Sequence, residues 1–215
     1  MSLPKRPGAR DIGEPLDSAL RKVRKGEPFT GASLNVASGR TQLGRALGRL
    51  VRKGLLERLA PGVFMRPLRS PYVDGNVPPE LDKIVRAMAQ RAGSKIQMSG
   101  AEAVWRLGLS TQVPMQAVYM TTGRSRTIKV RCRLVRYVHT SPGKLALAGR
   151  PAGIGLTALW YLGKAELNLA AVEQIAGRLG PKEFRALLAA RPQMPGWMSE
   201  VVTQYAIGRD WKRDR

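Results

Sequence analysis

Arg40, Gln42 and Arg45 lie close together in a stretch, Pro28–Leu56, that carries five cations and no Asp or Glu. Arginine offers two parallel donors to guanine O6 and N7, and glutamine a donor–acceptor pair to adenine N6 and N7. These three side chains are candidates for contact with base edges. Ser38, Thr41, Arg49 and Lys53 share the segment, and Arg58 and Arg66 follow it. The last three suit phosphates, contacts that set register without reading sequence.

A second run of cations comprises Arg124, Arg126, Lys129, Arg131, Arg133 and Arg136. There RTIKVRCRLVRYV alternates long cations with apolar residues, the pattern of a half-buried strand. Ile128, Val130 and Cys132 would point inward, and Lys129, Arg131 and Arg133 outward. Such a ribbon could track a nucleic-acid backbone or cradle an acidic partner. Read as a plain solvated face, its cations would discourage edge-to-edge pairing.

Other chemistries are poorly supplied. The single cysteine, Cys132, excludes an internal disulfide and a cysteine-ligated zinc site, and reads as a small core residue. The single histidine, His139, excludes a His-rich metal site and reads as structural. Ser99, Ser125 and Ser141 have no evident base beyond it. Gly123-Arg-Ser-Arg-Thr lacks the spacing and lysine of a phosphate loop, and GRPAGIG (Gly149–Gly155) lacks a preceding dinucleotide-binding βαβ context. Asp74, Glu80 and Asp82 are near one another, but the last two read as charges at a helix start. The sequence predicts no enzyme, no metal and no cofactor.

Composition agrees. Among 215 residues, 37 Lys and Arg against 15 Asp and Glu give a net charge of +22, which points to a polyanionic partner. Residues 1–70 carry 15 cations and 5 acids, so the charge is not one appended tail. No Asp or Glu occurs from Ala103 to Ala165, a span holding ten cations. A surface shaped only for solubility would mix the signs. With 43 % hydrophobic residues the chain can build a core, and no apolar run is long enough for a bilayer. The basic start lacks an apolar h-region, so a soluble cytoplasmic protein is expected.

The elements that would position these residues can be read from spacing. Leu16, Ala19, Leu20 and Val23 predict a helix over Pro15–Lys25. Thr30 can cap a short second helix with Ala32 and Leu34, and Ser38 a third. In the third, Leu43, Ala46, Leu47, Leu50 and Val51 form one apolar stripe and Gly54 stops it. Leu55–Ala60 and Val63–Arg66 then flank Pro61-Gly62 as a hairpin. Three helices and a hairpin make the layout of a winged helix-turn-helix, whose third helix enters the major groove. The alternative is a docking module with a solvated charged helix.

Pro67, Pro71, Pro78 and Pro79 mark a connector. Beyond it, helices starting near Leu81 and Ser99 precede strands at Ala117–Thr121, Thr127–Cys132 and Leu134–His139. Helices follow at Gly155–Leu162, Leu169–Leu179, Pro181–Ala190 and Pro195–Tyr205. The expected fold class is α+β: an N-terminal winged helix-turn-helix joined to a mostly helical C-terminal domain with a small antiparallel sheet. The expected boundaries are a basic arm over 1–14, the winged helix over 15–68, a Pro-rich linker over 69–79, the C-terminal domain over 80–208 and a charged tail over 209–215.

Two blocks carry a family resemblance: FTGASLNVASGRTQLGRALGRLVRKGLLERLAPGVFMRP (Phe29–Pro67) and GLSTQVPMQAVYMTTGRSRTIKV (Gly108–Val130). With the helical end they span about residues 15–205. The chain resembles the AbiEi-type antitoxins of type IV toxin–antitoxin systems, in the branch carrying the domain DUF6088. The resemblance implies a phage-defence antitoxin whose winged helix binds inverted repeats in its own promoter and represses the operon. It implies a C-terminal domain that counteracts a nucleotidyltransferase-like toxin, acting on the toxin or on its RNA target. Under it, Arg40, Thr41, Gln42 and Arg45 fall on the recognition helix and Arg58–Arg66 on the wing. Thr111, Gln112, Thr122, Arg124, Ser125 and Arg126 are the candidate partner surface within the second block. A homodimer, or two monomers binding cooperatively, would suit half-sites about 34 Å apart. The alternative function is an RNA- or ribonucleoprotein-binding protein that uses the ribbon at 124–136.

Overall fold

The computed structural model describes residues 12–208, so the basic arm up to residue 11 and the tail at 209–215 lie outside the described residues. The chain forms two compact units, Met1–Ala92 and Gly93–Arg215.

In the first unit, α1 (Gly13–Lys22) leads through β1 (Pro28–Thr30) and one 3-10 turn (Gly31–Leu34) into α2 (Arg40–Arg52). Thr30 does cap, but the second predicted helix is that single turn, because Asn35 adopts a left-handed φ of 49° and ends it. The Ser33 amide donates to Thr30 Oγ1 and the Thr30 amide to Ser33 Oγ, two otherwise orphaned donors satisfied reciprocally. In α2, Leu43, Ala46 and Leu47 are buried with Leu16, Leu20, Phe29 and Phe64. The predicted cap is not used: Gly39 takes the N-cap position, and Ser38 Oγ is buried without a hydrogen-bond partner.

The hairpin follows as β2 (Glu57–Ala60) and β3 (Val63–Met65). β1 adds antiparallel to β3, giving the order β1-β3-β2. The Pro-rich connector holds a second short hairpin, β4 (Arg69–Ser70) and β5 (Val73–Asn76). α3 (Leu81–Arg91) lies against the β1-β3-β2 sheet, not with the C-terminal half. Its stripe of Ile84, Val85 and Met88 is buried, Lys83 pairs with Glu27 at 2.6 Å, and Arg91 Nη1 donates to Pro61 O at 3.0 Å. An amphipathic helix needs an apolar surface to cover, and this sheet supplies one. The division therefore falls after Ala92 and not within 69–79.

The second unit opens with β6 (Ile96–Met98) and α4 (Gly100–Arg106), then β7 (Ala117–Thr121), β8 (Arg126–Val130) and β9 (Arg133–His139). The sheet order is β6-β7-β9-β8. It is mixed, where an antiparallel sheet was expected: β6–β7 and β8–β9 are antiparallel but β7–β9 is parallel. The chain reverses after β7 and again after β8, so β9 runs in the direction of β7 and inserts beside it. Helices α5 (Pro151–Glu166), α6 (Leu169–Ala189) and α7 (Gly196–Gly208) complete the unit. Leu156, Leu159, Val172, Ile175, Phe184 and Leu187 are its buried centre. The expected breaks in α5 and α6 occur, with Gly163 at φ 66° and Gly180 at φ 73°. Among the described residues, no helix is long and apolar enough to cross a membrane.

Candidate nucleic-acid interface

Burial of Leu43, Ala46 and Leu47 fixes the rotation of α2, and that decides which side chains reach solvent. Thr41, Arg45, Gly48 and Arg52 fall at i, i+4, i+7 and i+11, along the line opposite the core, with Gly44 and Arg49 beside it. Arg40, Thr41, Arg45, Arg49, Arg52 and Lys53 are exposed. No carboxylate among the described residues pairs with any of these cations. Gln42 is half-buried at the margin, turned partly toward the core. Arg52 was absent from the expected contacts, although its i+7 spacing from Arg45 puts it on the same line.

Gly44 and Gly48 have open space where a Cβ would stand. Glycine inside a helix costs about 1 kcal/mol relative to alanine. Gly44→Ala and Gly48→Ala should each raise stability by about that amount, read as a later urea midpoint by far-UV circular dichroism. A lower midpoint would mean that this face is not free.

The two hairpin arginines differ. Arg58 is exposed, with its guanidinium 5.5 Å from the centroid of the Phe64 ring. Arg66 is not free for phosphate, contrary to expectation. Its Nη1 donates to Val23 O at 2.8 Å and Arg21 O at 3.2 Å. The last carbonyls of a helix lack intrahelical partners and favour a cation, so Arg66 is consumed in closing the end of α1.

In the second unit, the block that carried the resemblance does not gather into one site. Thr111 and Gln112 precede β7, whereas Thr122, Arg124, Ser125 and Arg126 follow or lie beyond its other end. Five residues of strand separate the two groups by about 16 Å. Thr122 Oγ1 accepts the Lys95 amide at 3.0 Å and Ser125 Oγ the His139 amide at 2.8 Å, so both hydroxyls serve the backbone. His139 Nδ1 donates to Gly123 O at 2.9 Å, a structural contact as expected.

The six ribbon cations also do not share one face. Residues directly opposite in an antiparallel pair point the same way. Thr127–Arg136 and Lys129–Leu134 define one face, and Arg126–Tyr137, Ile128–Val135 and Val130–Arg133 the other. Val130, Val135 and Tyr137 are buried on the second face. Arg126 lies over the Tyr137 ring at 5.3 Å. Burial pushes the Tyr137 phenol above its ordinary pKa, and the charge of Arg126 works against that rise. Cys132 is exposed in the β8–β9 turn and is not a core residue. Arg131 there takes φ 54°, and the turn resets the alternation that would have carried Cys132 inward.

The chain belongs to a family of unknown function, DUF6088, which matches residues 16–185. No curated protein matches it. Among solved structures it is similar to the crystal structure of the RV2827C protein from Mycobacterium tuberculosis, at 15% identity and a TM-score of 0.43, covering 91% of this chain and 78% of that one.

Proposed function

We propose that this protein binds double-stranded DNA with the exposed face of α2 and the β2–β3 hairpin, its first unit working as a winged helix-turn-helix. The observation that carries this reading is the cationic face of α2: Arg45, Arg49, Arg52 and Lys53 stand in solvent, and no carboxylate among the described residues neutralises them. Charges kept apart in this way repel one another and gain nothing from folding, whereas each phosphate they meet releases a counterion. The order of helix, strand, turn, helix and hairpin supports the same reading. So do Gly44 and Gly48, which forgo about 2 kcal/mol of helix stability together with no intramolecular contact in return. Close approach of a partner's backbone accounts for them.

The resemblance to AbiEi-type antitoxins supplies the biological role of the proposal: an autorepressor encoded beside a nucleotidyltransferase-like toxin, binding inverted repeats upstream of its own gene. The test is a footprint of the full chain on that upstream DNA, with Arg45→Ala beside it. Arg45 is central on the face and is assigned to a base edge. Its loss should weaken binding to the footprinted site by about 1–3 kcal/mol, or about 5- to 150-fold, and relax the sequence preference. An equal loss on every sequence would place Arg45 on phosphate, and no loss would remove α2 from the interface. Co-expression with the neighbouring nucleotidyltransferase tests the antitoxin role, and unrelieved toxicity would refute it.

A further inference from the structure

We infer that the tip of the β8–β9 hairpin is a second, sequence-independent contact to the phosphate backbone of duplex DNA. It adds to the reading of α2 and is tested apart from it. β7 pairs with β9 only from Val135 onward. The end of the hairpin, Lys129 to Leu134, is therefore paired only to itself and overhangs the sheet as a two-stranded ribbon. Every residue of that overhang except Val130 is exposed.

The tip holds Lys129 and Arg133, with Arg136 one step behind. Lys129 and Arg136 rise on one face of the ribbon and Arg133 on the other. The major groove admits a two-stranded ribbon, and long cations on either face of an overhanging tip can reach the phosphates that flank it. Among the described residues, none of the three has a carboxylate, carbonyl or aromatic partner. Three other arginines of the unit are committed: Arg106 to Glu102 at 2.7 Å, Arg150 to Glu183 at 3.1 Å, and Arg191 to Leu188 O and Thr203. The three cations of the tip lie inside the 63-residue span from Ala103 to Ala165 that lacks any acid.

Two features favour nucleic acid over an acidic protein. The overhang presents no Trp or Tyr, the residues that with Arg anchor protein interfaces. It also repeats the chemistry of α2, exposed long cations without a carboxylate among the described residues. The tip has no Asn or Gln to read adenine, and its cations are assigned to phosphates.

The experiment compares the full chain with Lys129→Gln/Arg133→Gln/Arg136→Gln on two duplex DNAs, the footprinted site and a scrambled sequence, across a salt series. Three lost phosphate contacts should flatten the slope of log K against log salt by about 2 to 3 on both duplexes. Arg133→Lys/Arg136→Lys keeps the charge and should keep the wild-type slope, which separates lost contact from lost folding. An unchanged slope, or a loss confined to one sequence, overturns the inference. So does a change seen with an RNA duplex of equal length but not with DNA, whereas equal changes on both show that the shared phosphate chemistry is what is read. Arg45→Ala in the same series isolates α2: if it alone binds like wild type, the α2 reading fails while this one stands.

Discussion

Raising the salt concentration from 50 to 200 mM should weaken DNA binding by at least about 150-fold. Each neutralised phosphate contributes about −0.9 to the slope of log K against log salt on B-DNA. Arg49, Arg52, Lys53 and Arg58 are exposed and, among the described residues, unpaired with carboxylates. Four such contacts give a slope of about −3.6, and a fourfold rise in salt then lowers affinity by about 150-fold. With the three ribbon cations engaged as well, the slope approaches about −6 and the loss reaches several-thousandfold. Titrations by fluorescence anisotropy at four salt concentrations separate these values. A slope shallower than about −2 would mean that the cationic face of α2 does not meet phosphate.

The other large effect concerns the second unit. Gly153 lies in the first turn of α5, where an added Cβ would stand 2.2 Å from the carbonyl oxygen of Leu147 and 2.9 Å from its carbon. A backbone carbonyl cannot rotate aside as a side chain does. Gln97, buried nearby, accepts the Gly149 amide at 3.3 Å, and its Oε1 lies 3.3 Å from the same Cβ position. Gly153→Ala gains about 1 kcal/mol of helix propensity but forces the start of α5 off the Leu147–Gly149 segment. Overpacking against rigid atoms costs about 1–3 kcal/mol, so the net effect is destabilisation, by up to about 2 kcal/mol. All four tryptophans lie beyond residue 93, so urea unfolding followed by tryptophan fluorescence reports on this unit. An unchanged midpoint would show that the close approach of Leu147 is relaxed at no cost. The opposite sign expected for Gly44→Ala and Gly48→Ala makes the physical point: the same substitution in the same element type turns on what occupies the space beside it.

The solvent-facing side of α2 was legible in the sequence. Leu43, Ala46, Leu47, Leu50 and Val51 define a stripe by local spacing alone, and whatever is opposite that stripe must face solvent. The breaks at Gly163 and Gly180 were equally local, since each is a backbone conformation written into one residue. Charge was legible too, because the acid-free spans are properties of composition.

What the tertiary structure decided was partnership between distant residues. Nothing near Arg66 in the chain announces that its guanidinium will close the end of a helix more than forty positions earlier. The assignment of α3 to the first unit depended on a sheet built from β1, β2 and β3, strands that no pattern within α3 can name. The ribbon was misread for a third reason. Period-two alternation holds only while the strand continues, and a left-handed turn at Arg131 shifts the phase of everything after it. Local periodicity thus settled which residues are buried within one element, while the pairing of one element with another settled which exposed cations remain free to act.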